Sequence, residues 1–108
     1  MQNIQQAMKQ AQALQKQIAE LQKRLEAEMV EGTAGGNMVK ISCTCKGDVK
    51  KIEIDKSLLD PNEKEMLEDL IVTAFNNAKK NSDAKTSEEM QKISNAAGLP
   101  MDLLNSAF

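Results

Sequence analysis

The sequence predicts an α+β fold in which a long helix, a three-stranded antiparallel sheet and a second long helix follow one another. Residues 2–28 place apolar side chains three and four positions apart, which is helical spacing. Residues 29–55 alternate apolar and polar positions between glycine-containing turns, and residues 61–97 return to helical spacing. A length of 108 residues suits one domain, so we expect residues 1–108 to form a single domain that ends in an apolar tail at 98–108.

The first helix carries one narrow apolar stripe. Its members recur at steps of three and four residues, as in a coiled coil, and they are Ile4, Met8, Ala11, Leu14, Ile18, Leu21 and Leu25. Gln, Lys, Arg and Glu occupy most other positions, and neither Gly nor Pro interrupts them. This pattern predicts a helix that packs against a partner along one side only.

Three short segments after this helix are typical of strands. The first is predicted at Met29–Thr33, and the turn after it contains Gly35, Gly36 and Asn37, which accept positive φ. In the second strand the face predicted to be buried carries Val39, Ile41, Cys43 and Cys45, and the opposite face carries Lys40, Ser42, Thr44 and Lys46. A tight turn at Gly47-Asp48 leads to the third strand, in which Ile52 and Ile54 share a face.

The second helix has a recognisable start and end. Asp60 suits the N-cap, Pro61 the first helical position, and Glu63 the third position of a capping box. The apolar face consists of Leu67, Leu70, Ile71, Ala74, Phe75 and Ala78, and Met90 and Ile93 extend it. The polar run at 81–83 weakens the helix without ending it, and Gly98 followed by Pro100 ends it.

The first helix is too long for the sheet it accompanies. About 25 helical residues span roughly 37 Å, whereas strands of about seven residues span roughly 23 Å. One end of the apolar stripe is therefore exposed unless something covers it, and a three-stranded sheet also has two open edges. A symmetric homodimer solves both problems. The alternative is a monomer in which the second helix covers the whole stripe.

The composition argues against an enzyme. The chain has no His, Trp or Tyr, which removes the most common general acid/base and metal ligand, and its paired carboxylates lie on charged helix faces. We expect no cofactor, no metal and no small-molecule substrate. Cys43 and Cys45 are spaced unfavourably for a disulfide and lack the further ligands of a zinc site. We interpret them as small buried residues, with a redox or metal role as the alternative.

The sequence gives no sign of a signal peptide or a membrane span, so we expect a cytoplasmic protein without membrane contact.

Lysines form the most informative polar pattern. Lys9, Lys16 and Lys23 are spaced seven residues apart and fall on one face of the first helix about 10 Å from one another, with Arg24 beside them. This row matches successive phosphates of a duplex, and a second row is offered by Lys79, Lys80, Lys85 and Lys92. The alternative is a solvated coiled-coil face, in keeping with a net charge of −2. Because the chain has almost no aromatic platform for stacking bases, duplex DNA fits better than a single strand.

The chain resembles the YbaB/EbfC family of bacterial nucleoid-associated proteins. The resemblance covers about residues 5–104 in the same order. Its segments are Met8–Gln12, Val30–Gly36, Met38–Ile41, Lys46–Asp55, Ser57–Leu59, Lys64–Ala78 and the Gly-Leu-Pro at 98–100. Each segment alone is weak evidence, but the ordered set is specific.

The resemblance implies a tweezer-like homodimer whose helices project from a joined β core and bind DNA in the nucleoid. The implied role is in nucleoid organisation or gene regulation. The family has no catalytic motif, so only the location of the DNA contact transfers to this chain. On that basis the DNA-binding residues are Lys9, Lys16, Lys23, Arg24, Lys79, Lys80 and Lys85. The alternative function is a helical adaptor or chaperone-like protein that grips another protein between its projecting helices, as the Met-rich stripes and the apolar tail would allow.

Overall fold

The order of the elements agrees with the prediction and confirms the α+β class. The computed structural model describes residues 2–98, except for the side chains of Gln2, Asn3 and Ala97. The elements are α1 (Gln2–Ala27), β1 (Met29–Ala34), β2 (Val39–Thr44), β3 (Val49–Ile54), two short 3₁₀ helices (Lys56–Leu58 and Pro61–Glu63) and α2 (Lys64–Ala97). Residues 99–108 of the predicted tail lie outside the described residues.

The chain is divided into two compact units. Unit 1 combines residues 1–24 with residues 87–108, so its described part consists of α1 up to Arg24 and α2 from Ser87. Unit 2 comprises residues 25–86 and contains the sheet, both 3₁₀ helices and the rest of α2. That residues 1–108 form a single domain stays a prediction.

In unit 1, the apolar stripe of α1 becomes more buried along the helix. Ile4 and Met8 are 64% and 59% exposed, whereas Leu21 is fully buried. Leu14 and Ile18, between them, are half-buried. From α2, Met90 and Ser94 are buried in the same unit. The prediction that one end of the stripe would be exposed is confirmed for the described residues.

In unit 2, the strands form an antiparallel sheet in the order β1-β2-β3. Gly35, Gly36 and Asn37 all have positive φ in the turn after β1, as predicted. The central strand β2 buries Val39, Ile41 and Cys43 on one face, where they form the core with Ala34, Leu58, Ala74 and Ala78. The predicted buried face of β2 is therefore confirmed.

One residue of β2 departs from the predicted alternation. Thr44 was expected on the polar face, but it is 1% exposed. Its hydroxyl accepts a hydrogen bond from the backbone N–H of Asp48, and its own N–H donates to the Asp48 carbonyl at 2.9 Å. These bonds tie Thr44 into the turn before β3. Beyond Ser42 the pairing with β3 shifts by one residue, which leaves Lys50 as the extra residue of a bulge.

Unit 2 packs α2 tightly against β1. A Cβ at Gly32 would overlap the backbone nitrogen of Ala78 and the carbonyl oxygen of Ala74, so only glycine permits this approach. Two asparagine side chains of α2 donate to carbonyl groups of β1: Asn77 to Thr33 at 2.9 Å and Asn81 to Glu31 at 2.7 Å. Helix α2 is thus fixed to β1 by both shape and hydrogen bonds.

The start of α2 differs slightly from the prediction. Asp60 caps as expected, but its carboxylate accepts from the backbone N–H of Asn62, and it caps the 3₁₀ helix Pro61–Glu63. The α-helix itself begins at Lys64 and continues without interruption through the polar run at 81–83. Ser82 in that run is buried, and its hydroxyl donates to the Cys45 carbonyl at 3.1 Å.

Candidate nucleic-acid interface

The lysine row of α1 is exposed and free of acidic partners. Lys9, Lys16 and Lys23 all lie in unit 1 on one uninterrupted α-helix, and all three are exposed. Seven residues of α-helix advance about 10.5 Å and return nearly to the same face, so the three ammonium groups form one row. Among the described residues, no carboxylate lies within ion-pair distance of any of them. These three cations can therefore bind an external anion.

Arg24 has a different environment. Its Nη2 lies 3.6 Å from Oε2 of Glu89 on α2, within unit 1. The same carboxylate lies 3.3 Å from Nζ of Lys92 through its other oxygen. The side chain of Glu89 is 10% exposed, whereas that of Arg24 is 62% exposed. Arg24 thus differs from the three lysines of the row, because it has an acidic partner among the described residues.

The second predicted lysine row does not lie within one unit. Lys79, Lys80 and Lys85 belong to unit 2, whereas Lys92 belongs to unit 1. Lys79 and Lys80 are exposed, and no carboxylate of the described residues is within ion-pair distance of either. Lys85 is half-buried, and its Nζ lies 3.3 Å from Oε1 of Glu28. In unit 2 the available cations of this set are therefore Lys79 and Lys80.

Sequence reasoning missed Glu89 as a partner of the predicted contacts. Glu88 and Glu89 were treated together as residues of a charged helix face, but Glu89 is buried and Glu88 is exposed. The helical spacing of Met90 with Ile93 shows that an apolar face passes close to position 89, which was the available signal. Its pairing with Arg24 cannot be found from spacing, because the two residues lie on different helices.

The cysteines line a cavity of about 300 Å³ in unit 2 together with Phe75 and Lys79. Both are buried, as interpreted from the sequence, and they are not joined in a disulfide. Burial raises the pKa of the Cys43 thiol, which disfavours the reactive thiolate. Within residues 2–98, no three His, Cys, Asp or Glu side chains lie close enough together to hold a metal ion.

Two carboxylates near β3 have lowered pKa values. A hydrogen bond from Lys51 and its positive charge hold the pKa of Glu53 below its usual value. The backbone N–H of Ser57 and then its hydroxyl lower the pKa of Asp55. Both groups are exposed acceptors in local hydrogen bonds, and neither has the raised pKa of a general acid. Over the described part of the chain, no helix has the length and apolar character needed to cross a membrane.

Comparison with known proteins gives consistent matches over nearly the whole chain. A nucleoid-associated protein of Granulibacter bethesdensis is 46% identical over 100 residues, which cover 93% of this chain and 94% of that protein. Nucleoid-associated proteins of Rickettsia felis and of a Bradyrhizobium strain are 46% and 48% identical and cover 91% and 86% of this chain. The matched segments cover 92% and 88% of those two proteins.

Among solved structures, an uncharacterized protein of Helicobacter pylori has a TM-score of 0.64 with 23% sequence identity, over 72% of this chain and 82% of that one. At that identity the likeness supports the fold alone. The model of the YbaB/EbfC DNA-binding family matches residues 1–97. On the strength of this match and of the relatives' identity, the chain belongs to the YbaB/EbfC DNA-binding family.

Proposed function

We propose that this protein is a nucleoid-associated protein that binds duplex DNA through phosphate contacts as a homodimer. The observation that carries the proposal is the row of Lys9, Lys16 and Lys23, which is exposed and free of described acidic partners in a member of a DNA-binding family. The relatives are named nucleoid-associated proteins, which supports the nucleoid as its location. A role in nucleoid organisation or gene regulation follows from binding of this kind.

Phosphate contact is favoured over base reading by the side chains available. Lysine is a flexible point charge that suits phosphate, and the rise of α1 spaces the three ammonium groups about 10.5 Å apart. Phe75 is the single aromatic side chain among the described residues, and it lines the cavity in unit 2. Because the row of Lys9, Lys16 and Lys23 contains neither an aromatic side chain for stacking nor an Arg for bidentate base contact, it favours binding with little sequence preference.

The seven predicted contacts differ in what they can contribute. Lys9, Lys16 and Lys23 form the principal group, and Lys79 and Lys80 form a separate group in unit 2. We also include Arg24 and Lys85 among the proposed phosphate contacts, but each already lies close to a carboxylate. We therefore expect the first three lysines to dominate the salt dependence of binding.

The test is retardation of a duplex over a series of salt concentrations. Replacing Lys9, Lys16 and Lys23 with Gln removes three phosphate contacts per protomer, and the slope of log K against log salt should fall in magnitude by about 2.7 per protomer. A matched pair of double variants controls for the change in net charge: Lys9→Gln with Lys16→Gln, and Lys56→Gln with Lys64→Gln, which are exposed residues of unit 2 outside β3. Equal slopes for the two double variants would refute the assignment of the row.

A homodimer is supported by the uncovered third strand. β3 is an edge strand, and all its residues except Ile54 are exposed, including Val49 and Ile52. We propose that β3 pairs with β3 of a second copy around Ile52. An antiparallel pair centred there places Lys51 opposite the partner's Glu53, so charges of opposite sign face each other.

Light scattering on two variants tests this interface. Ile52→Glu would place carboxylates face to face at the centre of the proposed strand pair, and we expect it to halve the measured mass. Met8→Glu makes the same kind of change on α1 at a side chain of similar exposure, and we expect the mass to stay that of the dimer. The reverse result would move the interface to α1.

A second function is favoured by one observation. A groove of about 510 Å³ in unit 1 is lined by Ala7, Ala11, Leu14 and Ala96 with neighbouring glutamines, close to the exposed stripe of α1. Such a surface suits a helix of another protein, as an adaptor or chaperone-like function requires. A protein captured after nuclease treatment, with no duplex retardation at low salt, would favour this function.

A further inference from the structure

Glu89 is the one buried charged side chain among the described residues. It occupies the part of unit 1 where α1 and α2 meet, between a cation of each helix. Nη2 of Arg24 lies 3.6 Å from one carboxylate oxygen, and Nζ of Lys92 lies 3.3 Å from the other. Both cations keep about three-fifths of their side-chain surface exposed, at 62% and 63%. The side chain of Glu89 is thus buried, whereas those of Arg24 and Lys92 remain at the surface.

Other carboxylates reinforce Glu89. Glu20 lines the same cavity of about 340 Å³ as Arg24, Glu89 and Lys92. Oε1 of Glu88 lies 4.0 Å from Nζ of Lys92. Two cations are therefore surrounded by three carboxylates, whereas α1 has no acidic residue before Glu20. A phosphate that approaches Arg24 meets negative charge within a few ångströms, whereas Lys9 lies eleven residues before the first acidic residue of α1.

We propose that Glu89 limits the affinity of this protein for DNA by neutralising Arg24 and Lys92. This inference rests on the proposed function, and it adds a residue that sets where phosphate binds along α1. With Glu89 in place, phosphate contact along α1 is confined to the row of Lys9, Lys16 and Lys23. Arg24 serves mainly to join α1 to α2 within unit 1.

Removing the charge of Glu89 without changing its shape should release both cations. Glu89→Gln keeps the side-chain volume, and the two exposed cations remain solvated, so no buried charge is left unpaired. At about 0.1 M salt we expect duplex affinity to rise about fivefold to tenfold, with a salt slope steeper by about one to two per protomer. The control is Glu88→Gln, an exposed neighbour with the same charge change, for which we expect a rise of less than about twofold.

A double variant shows whether the gain passes through Arg24. Glu89→Gln combined with Arg24→Gln should lose at least half of the gain, because one released cation is then missing. Circular dichroism of each variant establishes that the helices are intact before affinities are compared.

A separate pair of variants tests the inference with Glu89 in place. Arg24→Gln should leave the salt slope unchanged, whereas Lys16→Gln should reduce its magnitude by about 0.9 per protomer. The inference is overturned if Arg24→Gln and Lys16→Gln reduce the slope equally, or if folded Glu89→Gln binds no more tightly than Glu88→Gln. If the unmodified protein fails to retard duplex at low salt, the proposed function fails and this inference fails with it.

Discussion

The two edges of the sheet differ in how much of the chain protects them. At the β1 edge, Gly32 allows the α2 backbone to approach closely, and Asn77 and Asn81 donate to two carbonyl groups of β1. At the β3 edge, the described residues provide neither a helix nor a neighbouring strand, and five of six residues are exposed. The difference teaches that packing against α2 protects one edge of this three-stranded sheet and leaves the β3 edge without a neighbour among the described residues.

A paired position across the sheet shows the same contrast. Ile41 of β2 and Ile52 of β3 are register partners, yet Ile41 is 1% exposed and Ile52 is 49% exposed. An isoleucine is therefore buried in the core on β2, whereas the isoleucine paired with it on β3 lies at the surface.

The largest effect is expected at Gly32. Gly32→Ala places a methyl group against the backbone of Ala74 and Ala78, which cannot move without displacing α2, so we expect a loss of at least about 3 kcal/mol in the free energy of unfolding. Chemical denaturation measures it. Gly36→Ala is the control, because its Cβ would meet nothing within 4 Å and only its positive φ of 62° costs energy, about 1 kcal/mol. Equal losses at the two positions would mean that the helix does not lie closely on β1.

The isoleucine pair comes next. Ile41→Ala should cost about 2 to 5 kcal/mol because it leaves a cavity in the core. Ile52→Ala should cost less than about 1 kcal/mol at low protein concentration, where β3 is exposed to solvent. If β3 joins two copies, the cost of Ile52→Ala should grow with protein concentration, since association stabilises the folded state by mass action. Denaturation at two protein concentrations gives both numbers.

A smaller effect is expected from the amide donors on β1. Asn81→Ala removes the hydrogen bond to the Glu31 carbonyl and should cost about 1 kcal/mol more than Asn76→Ala. Both changes replace an exposed Asn of α2 with Ala, so their effects on helix propensity cancel. Identical midpoints in thermal unfolding would show that the amide contributes no net stability.

The smallest effect concerns the end of β3. Ser57→Ala removes the hydroxyl that donates to Asp55 at 2.8 Å and leaves the backbone N–H, the larger cause of the lowered pKa. The pKa of Asp55 should therefore rise, but only part of the way to its usual value. The pKa of Asp55 is lower in the folded state than in the unfolded state, so this hydrogen bond stabilises the fold fully at pH values above the unfolded-state pKa. The stabilisation is lost as the pH falls through the folded-state pKa. A carboxyl titration by NMR checks the shift, and an unmoved pKa would assign the whole effect to the backbone.

Local patterns predicted most of the fold because each depends on nearby residues. The steps of three and four in α1, the positive-φ turn residues 35–37 and the cap at Asp60 are all properties of short segments. Thr44 was expected on the polar face but is buried, because its side chain forms a hydrogen bond with the turn at Asp48, which alternation within the strand does not predict. The α-helix after Pro61 began three residues later than predicted, because the cap directs a 3₁₀ turn first.

The candidate site was predictable in part. Spacing alone placed Lys9, Lys16 and Lys23 on one face, which is exposed, because helical periodicity determines which residues of one helix share a face. It could not separate Arg24 from them, since the distinguishing partner Glu89 lies on another helix.

The sequence by itself determined the order of elements, the apolar stripe of α1 and the exposure of its lysine row. These follow from periodicity and turn chemistry, which act over a few residues. Only the tertiary structure decided that α2 packs on β1 and leaves β3 exposed, that the close approach of α2 requires Gly32, and that Glu89 forms an ion pair with Arg24. Those features depend on distances between residues far apart in the chain, and packing sets such distances.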